Sequence, residues 1–323
     1  MNNKIKAAVA GAVLASASVA NAGITWDAGE WTVDMNGNVN AFAIFADNKD
    51  SGTQIAGGLA NTSTGQKNSE NTSISTGLLP SWLGFTATTR QNDLDTSVTI
   101  SFQPGAGGNQ ALQGGGNTEN RQAFLTFGDK SWGSVKVGKD LGIFGSTAIL
   151  NDMTLLGVGS NGAGTQHNGG AKGTTTTLGG IGTGYLYADW KGQIAYTTPN
   201  MNGLALTVGI TQPWNTTNLS TASATSSGGS DMYAIEAQGS YSWTGDFAGK
   251  VWVGAFGQEV QNLTGANITG STDEDASAFE AGISTSIMNI GLVGYAYSGE
   301  GVGTTGMLSD GFSNDGKSRD SDG

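Results

Sequence analysis

The chain has 323 residues, with 54 Gly, 4 Pro, no Cys and a formal net charge of −12. So little Pro, without strict Gly spacing, excludes a collagen helix, and the lack of Cys excludes a disulfide framework. An acidic balance with scattered Lys and Arg excludes a nucleic-acid partner, and nothing beyond the N-terminus is long and apolar enough for a membrane-spanning helix.

The N-terminus reads as a secretory signal. Lys4 and Lys6 are its positive region, residues 7–19 its apolar region, and Ala20-Asn21-Ala22 a small-residue cleavage site. This predicts a signal peptide over 1–22 and a single β-domain over 23–323.

The mature chain then alternates apolar and polar residues, the period of a strand with one greasy and one wet face. The first strand is expected over 32–45, with Val33, Met35, Val39, Ala41 and Phe45 on one side. A polar connector over 47–78 leads to a strand at 81–90, a short turn at 91–95, and a strand carrying Val98, Ile100 and Phe102. After a Gly- and amide-rich connector over 104–120 come Ala123, Leu125 and Phe127, a brief turn at 128–133, then Val135 and Val137. The longest connector spans 140–189. It is followed by a strand at 193–198 and the turn Pro199-Asn200-Met201-Asn202-Gly203.

Leu204, Leu206, Val208 and Ile210 give the clearest alternation in the chain. A Ser/Thr/Asn loop over 213–231 precedes Tyr233, Ile235, Ala237, Tyr241 and Trp243. The strand at 250–258 is ambiguous, because Val251 and Val253 fall on one face and Trp252 and Phe256 on the other. A connector over 259–276, including the exposed tip Asp273-Glu274-Asp275, leads to Phe279, Ala281, Ile283 and Ile287. Met288-Asn289 turns the chain into Val293, Tyr295 and Tyr297, and residues 299–323 read as loop. Connectors are thus alternately short and long, and aromatic residues such as Trp82, Trp132 and Trp243 cluster at strand ends. This is the pattern of an all-β antiparallel barrel standing in an outer membrane.

Several segments resemble the general diffusion porins of Gram-negative bacteria. They are residues 81–85 (Ser-Trp-Leu-Gly-Phe), the hairpin from Asn120-Arg121-Gln122-Ala123-Phe124-Leu125 through Trp132-Gly133-Ser134-Val135-Lys136-Val137-Gly138-Lys139, and residues 193–204 with their Tyr-x-x-Pro turn. The resemblance implies a sixteen-stranded transmembrane β-barrel, a homotrimer in outer-membrane lipid and lipopolysaccharide, and passage of ions and small hydrophilic solutes. About eleven strands are counted and a final aromatic strand is absent, so the barrel is expected to be incomplete, as in a C-terminally truncated member.

The resemblance also implies a third loop, here 140–189, that folds inward and narrows the lumen, with loop acids facing wall bases. The wall candidates are Arg90, Arg121, Lys136 and Lys139; the acids are Asp152 inside the loop and Asp140 at its base. Lys191 lies near a position where the family often carries Arg, with Asp189 the alternative match by spacing to Tyr196. The family's Pro-Glu-Phe-Gly-Gly element is absent, and a Gly/Thr-rich stretch over 157–184 lengthens the loop. The excess of acid points to cation preference.

Other features carry little chemistry. His167 is the only histidine and lies in a Gly/Asn loop, too isolated for a metal site. No nucleophile–base pair, phosphate loop or cofactor motif is found, so no enzyme and no cofactor are expected. A secreted adhesin or surface β-solenoid would need a fixed repeat, and none is visible. A substrate-specific barrel is the remaining membrane reading.

Overall fold

A computed structural model describes residues 23–47, 70–75, 79–104, 118–152, 155, 184–215, 229–264, 267–270, 272–287, 290–303, 308, 311–313 and 315–323. The expected signal peptide, His167 and most of the Gly/Thr-rich stretch lie outside the described residues.

The alternating runs become strands β1 (Ile24–Ala28), β2 (Trp31–Asn38), β3 (Phe42–Asp47), β4 (Glu70–Ser75), β5 (Trp82–Gln91), β6 (Leu94–Gln103) and β7 (Glu119–Asp129). They continue as β8 (Gly133–Leu141), β9 (Trp190–Thr197), β10 (Leu204–Thr211), β11 (Ala234–Trp243), β12 (Gly249–Leu263), β13 (Thr272–Ile287), β14 (Ile290–Glu300) and β15 (Asp320–Asp322). One short helix, α1 (Ser146–Leu150), follows β8. Among the described residues no helix is long and apolar enough to cross a membrane.

β1, β2 and β5 to β15 form one 13-stranded sheet in sequence order, each strand antiparallel to its neighbours. β3 and β4 pair separately. Among the described residues no pairing joins β1 to β15, so the barrel is not closed. Tight turns fix the register at one end of the sheet. Between β5 and β6 the chain reverses in two residues, Asn92 (φ 49°) and Asp93 (φ 61°), the positive-φ pair that a two-residue hairpin turn requires.

The sheet has two unlike faces. On β10, Leu204, Leu206, Val208 and Ile210 stand exposed, flanked across the ladder by Ile194 and Tyr196 on one side and Ile235 on the other. The opposite face carries Thr207, Thr197, Gln193, Glu236 and Gln238, and is polar.

Four expectations are corrected. The first strand is two strands, because Asn38 and Asn40 interrupt it: Asn40 donates from its side chain to Asn38 Oδ1 (2.8 Å) and Leu79 O (3.2 Å), and from its backbone to Ser81 Oγ (3.0 Å). The connector after it is correspondingly shorter, since β4 occupies part of it. β12 and β13 run well into the expected connector at 259–276, because Val260, Leu263 and Ala276 are buried and keep the alternation going. Asp273, Glu274 and Asp275 therefore lie on a strand, with Asp275 directly opposite Glu259. Finally, β15 adds a short strand within the expected C-terminal loop, placing Asp320 opposite Glu300.

The ambiguity of the strand at 250–258 also resolves. Both faces of β12 are apolar: Val251 and Val253 are exposed, whereas Trp252, Phe256 and Val260 are buried, the last two in one cluster with Phe144, Leu186 and Trp214. Trp252 sits opposite Gly282.

Candidate functional site

The polar face of β8 to β13 carries the charged groups. The strand period puts Lys136 and Asp140 on one side of β8, and they form an ion pair. Asp140 is buried and also accepts from Gln122 Nε2 at 3.0 Å. Lys136 lies 4.9 Å from the Phe124 ring centroid. One strand on, Lys191 stands opposite Asp140 in the ladder and pairs with Glu236 of β11. Lys191 also lies 3.5 Å from the Trp214 ring centroid, so its charge meets a carboxylate and a π face together.

Glu236 is fully buried and accepts from four donors. Besides Lys191 it accepts from Thr211 Oγ1 at 3.0 Å and from the backbone N–H groups of Ile143 (2.7 Å) and Phe144 (2.9 Å). Glu280 of β13 does the same next door, accepting from Gly145 N at 3.1 Å and from Tyr295 OH at 2.8 Å. Gln238 donates to Ile143 O and accepts from Thr147 Oγ1. Three wall residues thus hold the start of the segment between β8 and β9. Gly209 leaves it room: a Cβ there would lie 2.8 Å from Ile143 Cδ1.

The later part of this segment packs on itself. Leu141, Ala148, Ile149, Leu155, Tyr185 and Ala188 form an apolar cluster. Tyr185 OH donates to Asp152 Oδ2 at 2.5 Å, and its ring meets Tyr295 edge-on with centroids 6.5 Å apart. Burial, and next the Asp152 carboxylate, push the Tyr185 phenol well above its ordinary range. Burial pushes Tyr187 up to about 12.

The remaining wall candidates lie elsewhere. Lys139 is three residues from Lys136, so it stands on the opposite face of β8, level with Ala123 and Gly192 and on the same side as exposed Val137. Arg121 sits beside a register shift between β6 and β7; it pairs with Glu119 at 2.9 Å and lies 5.8 Å from the Trp190 ring centroid. Arg90 is at the short-turn end, answered by Asp95 (2.7 Å), Asp129 (2.9 Å) and Asp93 (3.8 Å). The expected set therefore divides: Lys136 and Asp140 come together, Asp152 joins the loop cluster, and the other three bases stand apart. Glu236 and Glu280 were not singled out in the sequence. Their signal was a lone carboxylate at a wet-face position, with only uncharged residues for several positions on either side. Among the described residues no group of ligand-type side chains could hold a metal ion.

The model of the Gram-negative porin family matches residues 7–319. Among solved structures, the outer membrane channel DcaP of Acinetobacter baumannii resembles this chain with a TM-score of 0.57 at 16% identity, over 92% of this chain and 72% of that one. An anion-selective porin from Comamonas acidovorans gives 0.39 at 13% identity, over 84% and 82% of the two chains. Salmonella typhi OmpF in complex with daunomycin gives 0.39 at 14%, over 86% and 81%. No curated protein sequence matches. The likeness to DcaP shows the fold, a transmembrane antiparallel β-barrel of the porin type. The exposed apolar face is then the lipid-facing one and the charged face lines the lumen. The protein is an outer-membrane diffusion channel, and with a family match over nearly its whole length the chain belongs to the Gram-negative porin family.

Proposed function

We propose that the channel passes ions and small hydrophilic solutes passively and prefers cations, and that the segment after β8 is the third loop that narrows its lumen. The observation that carries this reading is the capture of the Ile143, Phe144 and Gly145 backbone by Glu236 and Glu280 on the lumen-facing wall. Fixed donors and acceptors at a constriction sort solutes by size and field. Lys136, Asp140, Asp152, Lys191 and Glu236 are the charges we assign to it. Arg90 serves the short-turn rim, and Lys139 and Arg121 are left out because their surroundings differ. Cation preference rests on two points: each wall lysine of the group is matched by a carboxylate, and the chain carries a net −12. Export by the signal at 1–22 and assembly as a homotrimer in lipopolysaccharide-bearing membrane follow from the family resemblance.

Planar-bilayer recording of the full-length chain under a salt gradient tests the proposal. Stepwise conductance with a cation-favouring reversal potential is expected. An anion-favouring potential removes the selectivity alone, and absence of conductance removes the channel.

A further inference from the structure

Lumen-facing side chains fall into tiers that cross the sheet from strand to strand. One tier begins with Thr32, Thr88, Ser97, Thr126 and Lys136, on β2 and β5 to β8. It continues through Ala195 on β9 to Glu236, Phe256 and Ala278 on β11 to β13. The first five are half-buried or exposed, and the last four are buried. The tier one step nearer the long loops divides at the same place. Asp34, Thr86 and Thr99 are half-buried there, whereas Gln193 and Thr211 are buried. Lys136 and Ala195 are direct ladder neighbours, so the change is abrupt. It comes from what lies over the wall.

Three segments cover the second half. Phe144 and Leu186 come from the segment after β8, Trp214 from that after β10, and Leu308 and Phe312 from that after β14; all share one apolar cluster with Phe256 and Ala278. Gln258 on β12 grips the backbone of Trp214 on both sides, accepting from its N and donating to its O, each at 2.8 Å. An apolar seal of this kind excludes water, and a hydrated solute with it. The first half is lined by hydroxyls and amides. Thr86 and Thr99 share a hydroxyl contact of 3.0 Å, and Asn36 donates to Asp34 at 2.8 Å while accepting from Trp82 Nε1 at 3.1 Å.

We propose that solutes travel against the wall of β2 and β5 to β8, where Thr86, Ser97, Thr99 and Thr126 are the side chains that grade them. At these tiers the wall of β9 to β13 meets no solute. The inference rests on the channel reading. It makes Lys191 and Glu236 holders of the loop, not groups that a solute touches. It also gives the lane a hydroxyl lining, which can donate to and accept from uncharged solutes and hydrated ions alike.

The chain has no Cys, so a single introduced thiol reports one position. Thr99→Cys and Thr126→Cys probe the open wall; Ala195→Cys and Ala278→Cys probe the covered one, with two positions on each wall so that a misfolded variant leaves the comparison intact. Each is treated with a methanethiosulfonate carrying either a trimethylammonium or a sulfonate group. At Thr99 and Thr126 the cationic reagent should shift the reversal potential toward anions and the anionic one toward cations. At Ala195 and Ala278 neither should shift it, because a buried thiol is inert. Equal shifts on both walls, or none at Thr99 and Thr126, would overturn the proposal while leaving the channel intact. Mass spectrometry of the labelled, detergent-folded chains reads the same contrast without conductance. Fast labelling at Thr99 and Thr126 and slow labelling at Ala195 and Ala278 are expected, and equal rates would refute the seal. A chain that labels in this pattern but conducts nothing refutes the channel reading instead.

Discussion

At the scale of single residues the balance turns on Glu236. It is fully buried beside Lys191, and two loop N–H groups depend on it. Removing one partner of a buried pair leaves an uncompensated charge and costs about 3–5 kcal/mol. Glu236→Ala should therefore destabilise the protein by that order in urea titrations of the detergent-folded chain. Replacing the pair together, Lys191→Met with Glu236→Leu, separates two roles. The double variant has no orphaned charge, so most of the stability should return. The Ile143 and Phe144 amides still lose their acceptor, so its single-channel current should be noisier than that of the parent. If current noise is unchanged, the carboxylate is only a partner for Lys191 and does not hold the loop.

At the scale of elements, the loop segment is stapled by neutral phenols. Tyr185 and Tyr187 are both raised above the ordinary tyrosine value near 10.0. A group whose folded value is raised contributes stability in full below its unfolded value and loses it as pH climbs toward the folded one. The loop should thus stay docked through neutral pH and loosen from about pH 10 upward, with the Tyr187 share spent by about 12. Ultraviolet titration of phenolate absorbance, compared between the parent and Tyr187→Phe, should show a late-titrating phenol that disappears in the variant.

The same scale shows what could be read in advance. Strand positions were legible because half-buried strands must alternate, and β10 does so without a fault. The break between β2 and β3 was not, since Asn38 and Asn40 look like ordinary wet-face residues until their side chains are seen competing with the ladder. Part of the wall was in reach and overlooked: Lys136 and Lys139 are three apart, an odd spacing that in any strand divides them between faces. Glu236 and Glu280 could be placed on the wet face, but the loop N–H groups they bind lie more than ninety positions away in sequence for one and farther for the other. No local pattern encodes such a contact.

At the scale of the whole molecule, lipid is the solvent of one face and water of the other. Val208 and Thr207 are neighbours on β10 that look in opposite directions; Thr207 shares a 2.9 Å hydroxyl contact with Thr197, and Val208 is exposed. Val208→Arg should cost about 2–4 kcal/mol in folding into lipid vesicles, whereas Thr207→Arg should cost much less and change conductance instead. Equal penalties would mean that the two faces are wrongly assigned.

β12 does not share this clear division, being apolar on both sides. A strand of that kind gains little from polarity in choosing its alignment, because a one-residue slip exchanges one greasy face for another. Its alignment is set by size. Trp252 lies where β13 offers Gly282, and Gly254 lies where β13 offers Glu280, whose Cγ would be 2.7 Å from any Cβ added there. A slip by one position would trade these fits for collisions. This hairpin is cut like a key, by bulk against hollow, in the stretch of wall where the loop closes over it.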